Sequence, residues 1–168
     1  TILSCMAGCS PTALERAIAP ARATAAMMPG YANAYSAGPS ILCPPDEDWQ
    51  RFLSHLGPVH AFTDEAAFLA ASSFGALSGA SVYLLRHFAR WFEAKGVDGA
   101  TARALVAETL RGNAEVLLQS PEPLDDITNG VTTPGGITEA LVGHLAQRGA
   151  LAAWDEALDL VLARISKG

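Results

Sequence analysis

Charge is scarce in this sequence. Of 168 residues, 11 are Lys or Arg and 17 are Asp or Glu, 17% in all, against about 25% in ordinary soluble domains. The net charge is −6 and the basic residues form no cluster. That argues against nucleic acid as a partner, because phosphate binding needs grouped cations. Cysteine is sparse too. Cys5, Cys9 and Cys43 are an odd number without framework spacing, as in a reduced cytoplasmic protein rather than a disulfide scaffold. No second Cys or His pair joins Cys5 and Cys9, so no metal site is expected. The N-terminus lacks a basic n-region and an apolar h-region, so it is not a signal peptide. It starts without Met inside an apolar run, as a chain cut from a longer parent would.

Apolar residues, by contrast, make up 50% of the chain, and mean hydropathy is +0.23. A domain of this size with so little charge is expected to cover part of its surface with a partner, hence an oligomer. Residues 66–85 contain no charge at all, long enough in principle to cross a bilayer. Four are Ser, two are Gly and six are Ala, so the stretch is small rather than greasy. Asp64 and Glu65 before it, and Arg86, His87 and Arg90 after it, complement a helix dipole. We read it as a helix buried between subunits, not as a membrane span.

The first third alternates strand and helix. Thr1–Cys5 reads as a strand. Ser10-Pro11 reads as a helix start, with Leu14, Ala17 and Ile18 on one face and Pro20 as the stop. Ala23–Met28 reads as a strand, Pro29–Ser40 as a loop, and Ile41–Cys43 as a strand. Asp46 opens a helix carrying Trp49, Phe52, Leu53 and Leu56, and Val59–Phe62 follows as a strand. Such alternation belongs to a doubly wound α/β domain. From Thr63 on only helices are predicted: one running from a Thr63 or Asp64 cap to Gly96, one from Asp98 or Gly99 to Ser120, one from about Thr138 to Arg148, and a last one carrying Trp154, Leu158, Val161 and Ile165. Residues 1–62 are therefore expected to be one domain and 63–168 another.

The stretch Thr132–Thr138 is richest in chemistry. Two adjacent glycines let successive N–H groups turn outward, Pro134 stiffens the approach, and a helix N-terminus favours an anion. Three threonine hydroxyls stand by. The loop suits a small carboxylate, with Thr138 placed to donate a hydrogen bond or a proton. The plainer alternative is a tight turn followed by a helix that Thr138 caps.

Val131-Thr132-Thr133-Pro134-Gly135-Gly136-Ile137-Thr138 resembles the V-T-S-P-G-G-T-T loop of pyrroline-5-carboxylate reductases. Ser4-Cys5-Met6-Ala7-Gly8 resembles the S-x-A-A-G strand end of that family, Met28-Pro29 its M-P-N-T-P, and Ala76-Leu77-Ser78-Gly79 the start of its A-L-S-G-S-G-P-A-Y. The resemblance covers essentially the whole chain. It implies reduction of a cyclic imine carboxylate (1-pyrroline-5-carboxylate to proline, or a related imine) with NADPH or NADH. It also implies the C-terminal piece of a Rossmann-type domain followed by an all-α dimerisation domain, and a cytoplasmic homodimer or higher oligomer. By the same resemblance, Thr138 is the catalytic residue, and Thr133, Gly135, Gly136, Ile137 and Ala7 bind substrate. Cys5, Met6, Ala7, Met28 and Pro29 line the cofactor.

Some family features are missing. No G-x-G-x-x-G occurs in the sequence, so the turn that holds a pyrophosphate is not there. The family's Asn-Thr-Pro after Met-Pro is Gly30-Tyr31-Ala32, and Glu122 only approximates its acid upstream of the loop. A helical dimerisation module without catalysis is the alternative. A strand and G-x-G-x-x-G/A upstream of Thr1 would favour the enzyme. His55, His60, His87 and His144 share no ligand spacing. Ser72, Ser73 and Ser78 have no His–Asp partners, and Asp125-Asp126 reads as a solvated loop.

Overall fold

The computed structural model describes residues 2–22 and 25–166. β1 is Leu3–Ser4. Helix α1, Pro11–Ile18, starts as expected: the Ser10 hydroxyl oxygen accepts the Ala13 N–H at 3.1 Å, with Pro in the first turn. β2 is Ala25–Pro29; the first two residues of the strand expected there lie outside the described residues. β3 is Ser40–Cys43, α2 is Glu47–Leu53, and β4 is Val59–Ala61. Asp46 caps α2, accepting the Trp49 N–H at 2.9 Å.

The four strands lie in the order β1-β2-β3-β4. β1 runs parallel to β2, with Ser4 opposite Ala26, and β4 runs parallel to β3. β3 runs antiparallel to β2, with Met27 opposite Leu42. The antiparallel step follows from its connection: residues 30–39 are too few for a crossover. We expected a plain loop there, but Tyr31–Tyr35 form a 3₁₀ turn. Buried Asn33 pins it, its side-chain amide donating to the Gly38 and Leu56 carbonyls at 2.6 and 2.9 Å.

Alternation along the strands makes two cores. Ala25, Met27 and Leu42 pack with Leu53 of α2 on one face of the sheet. Ala26, Ile41 and Cys43 pack on the other with Phe68 of α3, Glu65–Ala71. Burial pushes the Cys43 thiol up, so it is an inert core residue.

The single helix expected from Asp64 to Gly96 is interrupted. α3 ends at Ala71, and α4, Phe74–Ala94, begins after Ser72-Ser73. The Ser72 hydroxyl donates to the Phe68 carbonyl at 2.8 Å, and Ser73, Gly75 and Ala76 donate three residues back rather than four. Such side-chain competition bends helices. α5 is Gly99–Gln119, capped by Asp98, which accepts the Thr101 N–H. Asp125-Asp126 corrects a third expectation: both lie in the first turn of a short helix α6, Leu124–Gly130, where carboxylates complement the dipole. α7 is Ile137–Gln147 and α8 is Ala150–Ile165.

By contacts, residues Thr1–Ala80 with Glu156–Gly168 form one compact unit and Ser81–Asp155 another. The first contains the sheet. In the second, the buried apolar residues among those described are Ala102 and Val106, while Leu105, Val116, Leu117, Leu141 and Leu151 are exposed. α3 and α4 make the one stretch among the described residues with the length and hydropathy to cross a membrane, and only 11% of its most apolar window is buried within the chain. The stretch expected to be buried is thus open in a single copy.

One carboxylate ties two helix starts together. Glu65, in the first turn of α3, accepts from the Thr12 hydroxyl at 2.7 Å, from the Thr12 N–H, and from the Ser10 hydroxyl. The Ser10 hydroxyl is the largest cause holding this carboxyl below its ordinary value of 4.5. A lowered value stabilises the fold fully above about pH 4.5, and that contribution fades as pH falls through the folded-state value. Glu65→Gln is expected to cost at most about 1 kcal/mol at neutral pH, allowing for solvent screening. Urea titrations at pH 7 and pH 3 check this: the stability difference between the two pH values should shrink in the variant, and an unchanged difference would count against the link.

Candidate functional site

Two turns of the same kind lead into helices on this chain. The first spans Met6–Cys9, where the Cys9 N–H donates to the Met6 carbonyl at 3.3 Å and Gly8 takes a φ of +75°. It leaves the C-terminal end of β1 and enters α1. The second spans Thr133–Gly136, where the Gly136 N–H donates to the Thr133 carbonyl at 2.8 Å and Gly135 takes a φ of +73°. Pro134 then sits second and a left-handed Gly third, the residue preference of a type II turn. A Cβ on Gly136 would approach the Thr133 carbonyl oxygen to 2.8 Å, so the second glycine is needed for space.

The first turn lies at the C-terminal edge of the parallel pair β1–β2, where ligands bind in open α/β sheets. Cys5, Met6 and Ala7 are exposed there, and the Met6 N–H donates to the Ser4 hydroxyl oxygen at 3.3 Å. Met28 and Pro29 end β2 at the same edge. Met28 is half-buried, packed on the core beside Phe68, with its methyl against Gly75. It therefore offers this edge mainly backbone.

The second turn places the other residues. Gly136 is the N-cap of α7 and supplies no side chain, so Thr138 is not the cap. The alternative in which Thr138 caps α7 is therefore corrected. Thr138 stands second in the first turn and is half-buried. Its hydroxyl has no hydrogen-bond partner among the described residues, nor has that of exposed Thr133. The Thr132 hydroxyl is committed, donating to the Thr128 carbonyl at 2.8 Å. Ile137 is 92% exposed. As at any helix start, the first N–H groups of α7 lack partners within the helix.

Sequence reasoning passed over Glu139. Its carboxylate accepts the Gly135 N–H at 2.7 Å. A Glu three residues after a helix cap is the signal that could have found it. The turn at Met6–Cys9 and the loop at Thr133–Thr138 belong to different compact units. Among the described residues, no cluster of three His, Cys, Asp or Glu could hold a metal ion.

A dinucleotide needs a base for its pyrophosphate as well as a place for its nicotinamide. For the second, Cys5, Met6 and Ala7 are exposed, while Gly8 lies against the backbone of Ile165 at the end of α8, where a Cβ would approach the Ile165 carbonyl oxygen to 3.0 Å. Nothing in this sequence has the glycine pattern for the first.

Known proteins resemble the chain throughout. The pyrroline-5-carboxylate reductase dimerisation family matches residues 65–167. Pyrroline-5-carboxylate reductase 1 of Bacillus spizizenii is 23% identical over 155 residues, 88% of this chain and 52% of that protein. Pyrroline-5-carboxylate reductase 2 of Bacillus subtilis is 42% identical over 45 residues, 27% of this chain and 16% of that protein. The chain thus spans about half the length of the longer of these matches. A Plasmodium falciparum pyrroline carboxylate reductase solved with NADP bound superposes with a TM-score of 0.88 at 18% identity, over 99% of this chain and 68% of that one. The Streptococcus pyogenes enzyme superposes with a TM-score of 0.86 at 22% identity, over 99% of this chain and 67% of that one. The fold is therefore that of the tail of a Rossmann domain followed by a helical domain, and the chain belongs to the pyrroline-5-carboxylate reductase family.

Proposed function

We propose that the intact protein reduces a cyclic imine carboxylate, 1-pyrroline-5-carboxylate or a related imine, using NADPH or NADH. Residues 1–62 supply the end of the nucleotide-binding domain, and residues 63–168 supply dimerisation and the substrate loop. The observation that carries this reading is the state of Thr138. Its hydroxyl is held half-buried at a helix start, yet the helix is capped without it.

The nicotinamide supplies hydride when bound, and Cys5, Met6, Ala7, Met28 and Pro29 lie along the edge that would line it. Around the substrate, Ile137 and its neighbours at the start of α7 offer N–H groups to a carboxylate, with Thr133, Gly135 and Gly136 shaping the turn; Ala7 is assigned to the substrate by the family resemblance alone. The imine nitrogen gains basicity as its carbon is reduced. A hydroxyl donor near that nitrogen therefore helps mostly in the transition state, which is the role assigned to Thr138.

The open apolar faces of α4 and α5 are covered by a second copy of the chain rather than by lipid. The dimerisation family's match over these helices supports this, and so does the Ser72-Ser73 interruption. Such a protein works in the cytoplasm on a small molecule, without nucleic acid or membrane.

Three outcomes test the reading. In the intact enzyme, Thr138→Val is expected to lower kcat/KM by on the order of 10²-fold while stability changes by less than about 0.5 kcal/mol, since no cap is lost. Unchanged turnover would remove Thr138 from the reaction. Sedimentation at micromolar concentration should show an intertwined dimer, burying more than about 1,600 Å²; a stable monomer contradicts it. The 168-residue chain alone should bind NADPH no tighter than about millimolar by calorimetry, and micromolar binding would reveal a phosphate site of another design.

A further inference from the structure

Helices α4 and α5 leave an open groove of about 510 Å³ between them. Val82 and Leu85 of α4 and Val106 of α5 line it with apolar surface, and Arg86, Arg90 and Arg103 stand along it. None of these arginines makes an ion pair among the described residues; Arg86 lies over the Tyr83 ring, 5.2 Å from its centre. The acid that lines the groove, Glu93, is turned to the start of α5, where a Cβ on Gly99 would meet its Oε1 at 3.0 Å.

Elsewhere in the same unit the charge is of the other sign. Residues 86–111 hold five Lys or Arg and three Asp or Glu, whereas residues 112–147 hold no Lys or Arg and five Asp or Glu. Three of those acids, Glu122, Asp125 and Asp126, lie just before or in the first turn of α6. All three are exposed, and none makes an ion pair among the described residues. Leu124 stands among them and is 65% exposed. An apolar side chain ringed by acids thus answers an apolar groove edged by arginines. α6 lends no residue to the groove of its own chain. A second copy can satisfy both surfaces, because in a two-fold pair each groove meets the other copy's α6 and every contact is made twice.

We propose that the groove between α4 and α5 of one copy receives α6 of a second copy, with Arg86, Arg90 and Arg103 meeting Glu122, Asp125 and Asp126. This deepens the reading that a second copy covers α4 and α5, and rests on it. The apolar contacts supply the burial, and the charges fix which surface meets which.

Sedimentation of the intact protein over a dilution series tests this. Reversing the groove (Arg90→Glu with Arg103→Glu) or α6 (Asp125→Arg with Asp126→Arg) should raise the dimer Kd by on the order of 10²-fold. An equimolar mixture of the two reversed forms should regain a dimer within about tenfold of the wild-type Kd, because both contacts then pair opposite charges again. Where a reversal fails to fold, the milder Arg90→Gln and Asp125→Asn should each weaken the dimer by on the order of tenfold. Unchanged dimers in these variants overturn the proposal and leave the dimer itself standing. So does loss without recovery on mixing, when both forms keep the wild-type circular dichroism. Retention of the wild type, but not of the groove-reversed form, on phosphatidylserine vesicles would then give the groove to an anionic surface. A wild-type protein that sediments as a monomer overturns the dimer reading, and this inference with it.

Discussion

The helices of this chain carry more apolar surface than they can bury among themselves. Within Ser81–Asp155 the buried apolar positions among the described residues are Ala102 and Val106, both on α5. Leu118 and Leu151, each about three-quarters or more exposed, show how much is left over. Exposed apolar patches of that extent mark interaction surfaces. The low charge of the sequence follows from the same constraint: residues that must pack against a partner cannot also be charged. The match to a dimerisation family over these helices fits that surplus. In the sheet-bearing unit α2 and α3 cover the two faces of the sheet, and the large apolar side chains left exposed, Met6, Tyr31, Tyr35, Phe52 and Leu160 among them, lie outside those two cores.

Much of the fold was legible because its punctuation is local. Ser10, Asp46 and Asp98 each accept the N–H three residues on, and each was readable as a small polar residue before an apolar period. What escaped reading depended on contacts at longer range or on competition. The Ser72-Ser73 interruption depends on a hydroxyl preferring a carbonyl one turn back, which composition does not reveal. The 3₁₀ turn at Tyr31–Tyr35 depends on Asn33 reaching the Leu56 carbonyl, 23 residues away. α6 was hidden by flanking prolines, although Pro123 precedes the helix without interrupting it.

The candidate site was legible to the same extent and for the same reasons. The Pro-Gly-Gly pattern announced a turn entering a helix, and the structure has one. Three threonines looked equivalent in sequence, but they differ: Thr132 is spent on the end of α6, while Thr133 and Thr138 are not. The cap could not be assigned from sequence, because Gly136 performs that role with backbone alone. Glu139 escaped reading because its partner depends on which residue is the cap: its carboxylate accepts the N–H of Gly135, one residue before Gly136.

Each of the two turns ends at a helix start that draws a carboxylate from the chain itself, and the two carboxylates differ in reach. Glu65 crosses from α3 to Ser10 and Thr12, 53 residues from Thr12 in sequence, so it links elements whose separation would cost tertiary structure. Glu139 reaches only Gly135, four residues back, and closes no contact that the turn's own Gly136–Thr133 hydrogen bond does not already secure. Removing the first loosens a junction of the fold. Removing the second changes little but the charge and one amide at the mouth of the loop.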